Sequence, residues 1–254
     1  MRANSCAWEN GHSSSNGTTN LQPDSTGEEF ASTEYVDVFV SCVTSTASLS
    51  FRFVEYEEEY TELLGQMDAY FKSGAAAARR AVSSPELAKL YATFYNNRWL
   101  RVQPVRNAAE GKVECCFVDE GNSSLIPVED LRELPKGLTL LAHQAIECQL
   151  DGMVQYANCD GVVHILSDLL LGKTLVAEVL SRENPVSVVL FDTWGPEDIN
   201  LNQAVFLRIM TPRIPDKGCV APGYLSHVSN SGTVWLQFKG PGLDTLNDIS
   251  NTNR

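Results

Sequence analysis

Basic residues, cysteine pairs and long apolar runs are scarce in this chain, and each shortage argues against a class of protein. The 254 residues include 19 Lys and Arg against 32 Asp and Glu, which gives a net charge of -13. A surface of this sign repels phosphate backbones and attracts basic ligands, so a basic peptide is favoured over nucleic acid as a partner. No stretch approaches the roughly 18 continuous apolar residues of a membrane span, and no membrane association is expected.

Metal and cofactor chemistry also lack the residues they need. The seven cysteines are scattered without a Cys-x-x-Cys pair, which argues against a disulfide framework or a zinc site. Cys115 and Cys116 are adjacent within an apparent strand, so their side chains point to opposite faces, and buried thiols in a reducing compartment are expected. His143 and His164 have no Ser, Cys or acid at a diagnostic spacing, and no phosphate-binding glycine loop is present. We therefore expect no catalysis, no metal and no cofactor.

The chain begins with a polar segment and then becomes periodic. Residues 1–34 are rich in Ser, Asn, Thr and Gly, which predicts a disordered lead-in. Strands are predicted at 36–40 and 48–53, followed by a helix at 56–71 whose apolar residues recur at i, i+4 and i+7. Short strands between 90 and 126, separated by turns that contain Asn and Gly, indicate a small, strongly bent barrel.

Strands and helices alternate again after this barrel. The predicted elements are a short helix at 128–134, a strand at 145–150, a helix at 161–171, a hairpin over 173–191 and a helix at 200–209. Asn200 or Asp198 is the expected N-cap of the last helix. The pieces on either side of the barrel look incomplete alone, and the insertion of one barrel inside another explains why.

The segment 214–254 has a different pattern. Residues 223–228 and 233–238 are predicted to form two strands joined by a Ser-Asn-Ser-Gly turn, and they begin as the first hairpin of the chain did. Two interpretations stay open: the segment starts a second copy of the domain, or it is an edge hairpin packed on the first copy.

Five segments, in order and spacing, resemble the extended Tudor domain family. They are 91–101 (YATFYNNRWLR), 117–122 (FVDEGN), 131–135 (LRELP), 144–148 (QAIEC), and 191–193 (FDT) with 200–202 (NLN). The second segment stands where the family usually has aromatic-x-Asp-Tyr-Gly-Asn. The resemblance spans about residues 35–210.

The resemblance implies a mainly β fold with helices. A five-stranded Tudor barrel, at about 86–134, is inserted in a split OB-fold of the staphylococcal-nuclease type, whose halves are 35–85 and 140–213. The first helix would bridge the two halves. This implied architecture agrees with the element order read from the residues.

The resemblance also implies a function. Family members act as non-catalytic adaptors in small-RNA pathways of germ granules, where they bind Arg-Gly or Arg-Ala repeats in the N-terminal tails of Piwi-family proteins. The arginine is often symmetrically dimethylated. The implied location is cytoplasmic, in perinuclear germ granules.

Carried over by position, the peptide-binding cage would comprise Phe94, Leu100, Phe117, Glu120 and Asn122. Leu100 and Glu120 stand where the family usually has aromatic residues. Losing two cation–π contacts at about 1 kcal/mol each would weaken methylarginine binding roughly 30-fold. We therefore expect a degenerate cage with little dependence on methylation, in which Glu120 offers a carboxylate to an unmodified guanidinium.

Other interpretations of these residues remain open. Phe94 and Phe117 could be barrel core, and Asn122 could serve only the turn. A conventional dimethylarginine reader is one alternative function. An RNA-binding module of the OB type is another, and its only candidate basic group is Arg79, Arg80, Arg98, Arg101 and Arg106. With the negative net charge, direct binding of nucleic acid is not expected.

Overall fold

The computed structural model describes residues 34–73, 82–107, 110–211 and 217–252. The predicted lead-in at 1–34 lies outside the described residues except for Glu34, which already belongs to the first strand. Within the described part of the chain, no helix is long and apolar enough to cross a bilayer.

Strands dominate the described residues. They are β1 (Glu34–Ser45), β2 (Ser48–Phe53), β3 (Tyr91–Tyr95), β4 (Arg98–Asn107), β5 (Lys112–Phe117), β6 (Ser123–Pro127), β7 (Arg132–Glu133), β8 (Ile146–Leu150), β9 (Thr174–Ser181), β10 (Val186–Asp192), β11 (Ile199–Asn200), β12 (Gly223–Val228) and β13 (Val234–Phe238). The helices are α1 (Glu57–Lys72), α2 (Val162–Leu169), α3 (Leu201–Met210) and α4 (Pro241–Thr252). Short 3₁₀ turns lie at Val54–Tyr56, Val128–Asp130, Lys136–Thr139 and Val154–Tyr156. The predicted mainly β class with helices is confirmed.

Five strands close into a barrel, named here the outer barrel, in the order β1-β2-β8-β10-β9, with β9 pairing back to β1. Only β8 and β10 are parallel among these neighbours. Leu49 of β2 pairs with Cys148 of β8 although a whole second sheet lies between them in sequence. Alternate residues, such as Val38 and Val40, point into a core that α2 and α3 complete. The split of the outer barrel around an insertion is therefore observed directly, whereas its assignment to the staphylococcal-nuclease-like OB class stays a prediction.

The inserted barrel is the second sheet, with strand order β6-β5-β4-β3-β7. A two-residue turn of Asn96 and Asn97, both at positive φ, joins β3 to β4 and suits the twist of a tight hairpin. The core of the inserted barrel contains Tyr91, Leu100, Val102, Val113, Cys115, Phe117, Ile126 and Leu131.

Helix α1 connects the two barrels. It follows β2 after one 3₁₀ turn and buries one apolar stripe, as its periodicity predicts. The buried residues of this stripe are Tyr60, Leu63, Met67 and Phe71. They share a cluster with Ala92 of β3 and with Leu138. Leu138 belongs to the segment 134–145 between β7 and β8, named here the return linker. Helix α1 therefore covers the outside of the inserted barrel. The inserted barrel consequently depends on a helix that belongs to the flanking sequence.

Two predicted helices differ from the structure. The helix expected at 128–134 is a 3₁₀ turn, Val128–Asp130, followed by the short strand β7, in which Arg132 pairs with Ala92. Strand pairing to β3 thus wins over local helical character. The helix expected at 161–171 is shorter, Val162–Leu169, and Gly161 precedes it in the left-handed region. Helix α3 begins as predicted, because the Asn200 side chain accepts a hydrogen bond from the backbone N–H of Gln203 at 2.9 Å.

The C-terminal segment forms its own small unit. β12 and β13 make a two-stranded sheet, and α4 lies against α3, where Gly242 closely approaches the carbonyl of Met210. Both predicted strands are present. Whether the segment starts a second copy of the domain stays a prediction.

Candidate functional site

Two of the predicted cage residues, Leu100 and Phe117, lie together with Tyr95 in the inserted barrel. Leu100 of β4 and Phe117 of β5 are buried in its core, and only 1% of Phe117 is exposed. Tyr95, the last residue of β3, packs on this core with its ring centroid 4.8 Å from that of Phe117. The Phe117 ring is therefore closed off from solvent in this conformation.

Phe94 lies on the other side of the same strand. It pairs with Trp99 across the hairpin, whereas Thr93 pairs with Leu100, so alternation places Phe94 and Leu100 on opposite faces. The Phe94 ring is 5.4 Å from that of Trp99, which in turn stacks on Phe71 at 4.1 Å. With 52% of its surface exposed, Phe94 is accessible, but it is not grouped with Leu100 and Phe117.

The residue that sequence reasoning missed is Tyr95. A two-residue turn makes Tyr95 the partner of Arg98, and this pairing puts Tyr95 on the same face as Leu100. The Asn-Asn turn was therefore the signal that could have identified it. As a peptide-binding set, the five predicted residues stay a prediction, and the structure brings together only some of them.

Glu120 lies where the two barrels and α1 meet. Its Oε2 accepts a hydrogen bond from Arg52 of β2 at 3.1 Å. Its Oε1 accepts from the Tyr60 hydroxyl at 2.8 Å and from Arg98 at 3.0 Å. Burial, followed by the charge of Glu120, raises the pKa of Tyr60, so this hydroxyl remains a donor. One carboxylate thus receives hydrogen bonds from both barrels and from α1.

The Arg52 guanidinium is held by rings and carboxylates together. It lies 4.8 Å from the ring centroid of Phe39 and 4.6 Å from that of Tyr60. It also donates to Glu57 at 3.4 Å, in addition to Glu120. Such cation–π contacts strengthen when they are desolvated, and the Arg52 side chain is buried. Arg52 therefore combines stacking on aromatic rings with hydrogen bonds to carboxylates, which are the contacts that suit any guanidinium group.

A second buried ion pair fixes the return linker to the inserted barrel. Arg101 donates twice to Asp119, at 2.9 and 2.6 Å, in a bidentate pair. The same guanidinium donates to the carbonyls of Leu141 and Ala142 at 2.7 and 3.0 Å. Asp119 also accepts from the backbone N–H of Gln144 at 3.1 Å. Asp119 of the FVDEGN segment is thus a structural residue.

The turn after β5 needs a glycine. Gly121 has φ +88°, and a Cβ placed there would lie 2.1 Å from Ser50 Oγ on the outer barrel. The carbonyl of Asn122 accepts from the Phe117 N–H at 2.9 Å, which closes the turn through the backbone. Asn122, two residues after Glu120, is half-buried. The turn therefore packs directly against β2.

The basic residues considered for RNA binding do not form a cationic groove in the described part of the chain. Arg101 is buried against Asp119. Arg98 and Arg106 are paired with Glu120 and Glu114 respectively. Arg79 and Arg80 lie outside the described residues.

Cysteine placement agrees with the expectation of buried thiols. Cys42, Cys115, Cys116 and Cys148 are buried, whereas Cys159 is half-buried and Cys219 is exposed, and none of these six described cysteines forms a disulfide. Burial, with a smaller contribution from Glu114, raises the pKa of Cys115 to about 12. These thiols belong to the core.

Solved structures of extended Tudor domains share this fold. The mouse TDRD1 domain in complex with a MILI peptide containing dimethylarginine aligns with a TM-score of 0.59, over 73% of this chain and 96% of that chain, at 21% identity. A single-residue variant of the Drosophila melanogaster Papi extended Tudor domain, in complex with an unmethylated N-terminal Piwi peptide, aligns with a TM-score of 0.60, over 69% and 97% of the chains, at 19% identity. Its complex with the dimethylated Piwi peptide gives 0.61 over the same shares, at 18% identity. The fold is that of the extended Tudor domains.

Sequence comparison shows which proteins the chain is similar to. Residues 31–152 match the family model of the Tudor domain. Tudor domain-containing protein 7B of Danio rerio is 28% identical over 224 residues, which cover 85% of this chain and 20% of the relative. The Xenopus tropicalis Tudor domain-containing protein 7 is 31% identical over 153 residues, covering 58% and 14%. Residues 31–152 therefore resemble a Tudor domain, and the chain spans about a fifth of the length of the first of these relatives.

Proposed function

We propose that this chain is a non-catalytic module that binds an arginine-containing segment of a partner protein, with the ligand guanidinium at Glu120. The observation that carries the proposal is the Arg98–Glu120 pair. A guanidinium already reaches this carboxylate at 3.0 Å, and it does so from an arginine whose side chain is 50% exposed. A ligand arginine approaching from solvent would find the same oxygen.

In this proposal the β3–β4 hairpin closes the site and Arg98 stands in for the ligand. Tyr95 covers Phe117 while its partner Arg98 holds Glu120. The Arg98 side chain is half exposed, and Glu120 keeps its hydrogen bonds from Arg52 and Tyr60 when Arg98 leaves, so the cost of displacing Arg98 is small. Once the hairpin moves, Tyr95 and Phe117 are available to pack on the incoming guanidinium.

Weak dependence on methylation follows from the same residues. Leu100 and Glu120 supply an aliphatic wall and a carboxylate where aromatic rings would favour methyl groups. An unmodified guanidinium keeps all its N–H donors for Glu120, and methylation removes part of that set while keeping the charge. The Papi complexes with both forms of the Piwi peptide support the idea that this fold admits either ligand.

The wider setting belongs to the proposal as well. The resemblance to germ-granule adaptors, together with the Piwi and MILI peptides bound by structural neighbours, favours the N-terminal tail of a Piwi-family protein as the partner. A cytoplasmic location in perinuclear germ granules is proposed on the same basis. The functional unit is proposed to span 35–213, because the inserted barrel shares its packing with α1.

The test is calorimetric titration of the whole chain with matched Arg-Gly peptides, unmodified and symmetrically dimethylated. We expect the two affinities to agree within a few-fold. Arg98→Ala removes the internal competitor and should tighten binding of the unmodified peptide by up to about five-fold, which corresponds to about 1 kcal/mol. Arg106 lies on the same strand as Arg98 and forms an exposed ion pair with Glu114 of β5. Arg106→Ala is therefore the matched control and should leave the affinity unchanged.

Two outcomes would contradict the proposal. A ten-fold preference for the dimethylated peptide would mean that the site works as a complete methylarginine cage. Weaker binding by Arg98→Ala would mean that Arg98 contacts the ligand rather than competing with it. Phe117→Ala is unsuitable as a test because the ring is core, and its removal destabilises the barrel.

A further inference from the structure

One outward face of the outer barrel is unusually rich in aromatic and acidic residues. Strands β1, β9 and β10 are neighbours, and their register sets outward residues in rows across the sheet. The set, named here the lateral face, is Tyr35, Asp37 and Phe39 on β1, Thr174, Val176 and Glu178 on β9, Val189 and Phe191 on β10, and Trp194 just beyond β10. The alternating residues of the same strands are in the core.

The rows bring unlike side chains side by side. Tyr35 and Val189 both pair with Glu178, so this carboxylate stands between an aromatic and an aliphatic residue. Asp37 and Phe191 both pair with Val176 in the next row. The lateral face therefore brings aromatic, aliphatic and carboxylate side chains together over three strands.

Phe39 and Thr174 form a third row, and Trp194 lies next to Thr174. The Trp194 side chain is both exposed and held in place. Although 82% of its surface is accessible, its indole Nε1–H donates to the carbonyl of Thr174 at 3.2 Å. Its backbone N–H donates to the Asp192 side chain at 3.1 Å. Thr174 is also the β-sheet partner of Phe39, whose ring contacts Arg52. An exposed indole in a fixed orientation is ready to stack on a ligand.

The side chains of the lateral face favour a cationic ligand. Its nine members include four aromatic residues and two carboxylates and no Lys or Arg. Phosphate groups would meet Asp37 and Glu178, whereas guanidinium groups can stack on rings and donate to carboxylates together. The chain itself holds Arg52 in this way, between two rings and two carboxylates, and one of those rings is Phe39 of this face.

We infer that the lateral face is a second docking surface, for an arginine-bearing extended segment of a partner protein. It adjoins the Glu120 site through the contact between Phe39 and Arg52, but it is formed by other residues and does not rest on that site. Charge complementarity with a chain of net charge -13 favours a basic segment, and the oriented Trp194 supplies the stacking surface.

The experiment follows Trp194 by nuclear magnetic resonance in the full chain. Its indole N–H resonance is assigned by its loss in Trp194→Phe. A short unmodified peptide of alternating arginine and glycine should shift this resonance saturably, and added salt should weaken the effect. Tyr35→Ala and Glu178→Gln should each lower the affinity measured at this resonance about two- to five-fold.

Controls separate this face from the Glu120 site and from folding. Leu140→Ala changes another exposed residue and should have no effect. Glu120→Gln should leave the Trp194 shift in place. If calorimetry shows no gain with Arg98→Ala while Trp194 still responds, the proposed function fails and the lateral face stands.

Three results would overturn the inference. The first is a Trp194 resonance that does not move with the peptide. The second is a shift that disappears in Glu120→Gln, because it would then report only the first site. The third is a single-stranded uridine oligomer that shifts Trp194 at lower concentration than the peptide at about 0.15 M salt, because the face would then read nucleic acid.

Discussion

The Arg101–Asp119 pair should be the most sensitive polar contact in the domain, and Arg101→Leu tests this directly. The substitution keeps an apolar side chain of moderate volume and removes the guanidinium that neutralises Asp119. Both side chains are buried, and the pair is bidentate, with distances of 2.6 and 2.9 Å. The variant therefore leaves a buried carboxylate whose remaining hydrogen bond, among the described residues, comes from the Gln144 N–H.

The expected loss is about 3–5 kcal/mol, because removing one partner of a buried pair strands the other charge. This is a large part of the roughly 5–15 kcal/mol that holds a domain folded. The carbonyls of Leu141 and Ala142 lose their donor in the same change, so the return linker loosens from the inserted barrel. Destabilisation and detachment of the linker should appear together.

Urea unfolding followed by circular dichroism measures the loss. With a slope of about 2–3 kcal/mol per molar, the midpoint should fall by roughly 1–2.5 M. Arg106→Leu is the matched control, since Arg106 lies on the same strand and pairs with Glu114 at 2.7 Å at the surface. It should cost only about 0–1 kcal/mol.

The double variant Arg101→Leu, Asp119→Leu completes the test. Since it removes both charges, it should recover part of the stability lost by the single variant. The reasoning is refuted if Arg101→Leu costs no more than Arg106→Leu, or if the double variant is less stable than Arg101→Leu alone.

Three further outcomes are expected. Gly121→Ala should destabilise the domain by about 2 kcal/mol or more in the same urea assay, because a Cβ at φ +88° meets Ser50, and an unchanged midpoint would contradict this. Cys115 should resist alkylation at pH 8 in mass spectrometry while exposed Cys219 reacts; moreover, because burial raises its pKa from 9.0 to about 12, its contribution to stability should be lost as pH rises between these values. A fragment of residues 86–140 should not fold alone, and a sharp two-state transition in that fragment would show that α1 is dispensable.

Most of the fold was accessible from sequence because it is encoded locally. Alternating apolar residues, turn residues and the stripe of α1 each occupy a short window, and their order indicated one barrel inside another. The strand β7 was missed because two residues carry no periodicity, and its pairing with β3 comes from tertiary context.

The site was less accessible because its defining contacts join residues far apart. Arg52 and Glu120 are 68 residues apart, and the pairing of Arg101 with the linker carbonyls depends on how the chain returns to β8. No local pattern shows such contacts. The position of Tyr95 is different, since counting residues from the two-residue turn places it, and not Phe94, on the same face as Leu100.

The interruption of the outer barrel has a consequence for synthesis on the ribosome. The β1–β2 hairpin is made first, but its two outer edges are covered only when β8 and β9 arrive. At about 5–20 residues per second, roughly 6–26 s pass between completion of β2 and of β9. During this interval the nascent chain presents unpaired strand edges, a known hazard for association with other chains. A slow-down of translation within the inserted barrel would lengthen that exposure, so codon choice there bears on the yield of folded protein.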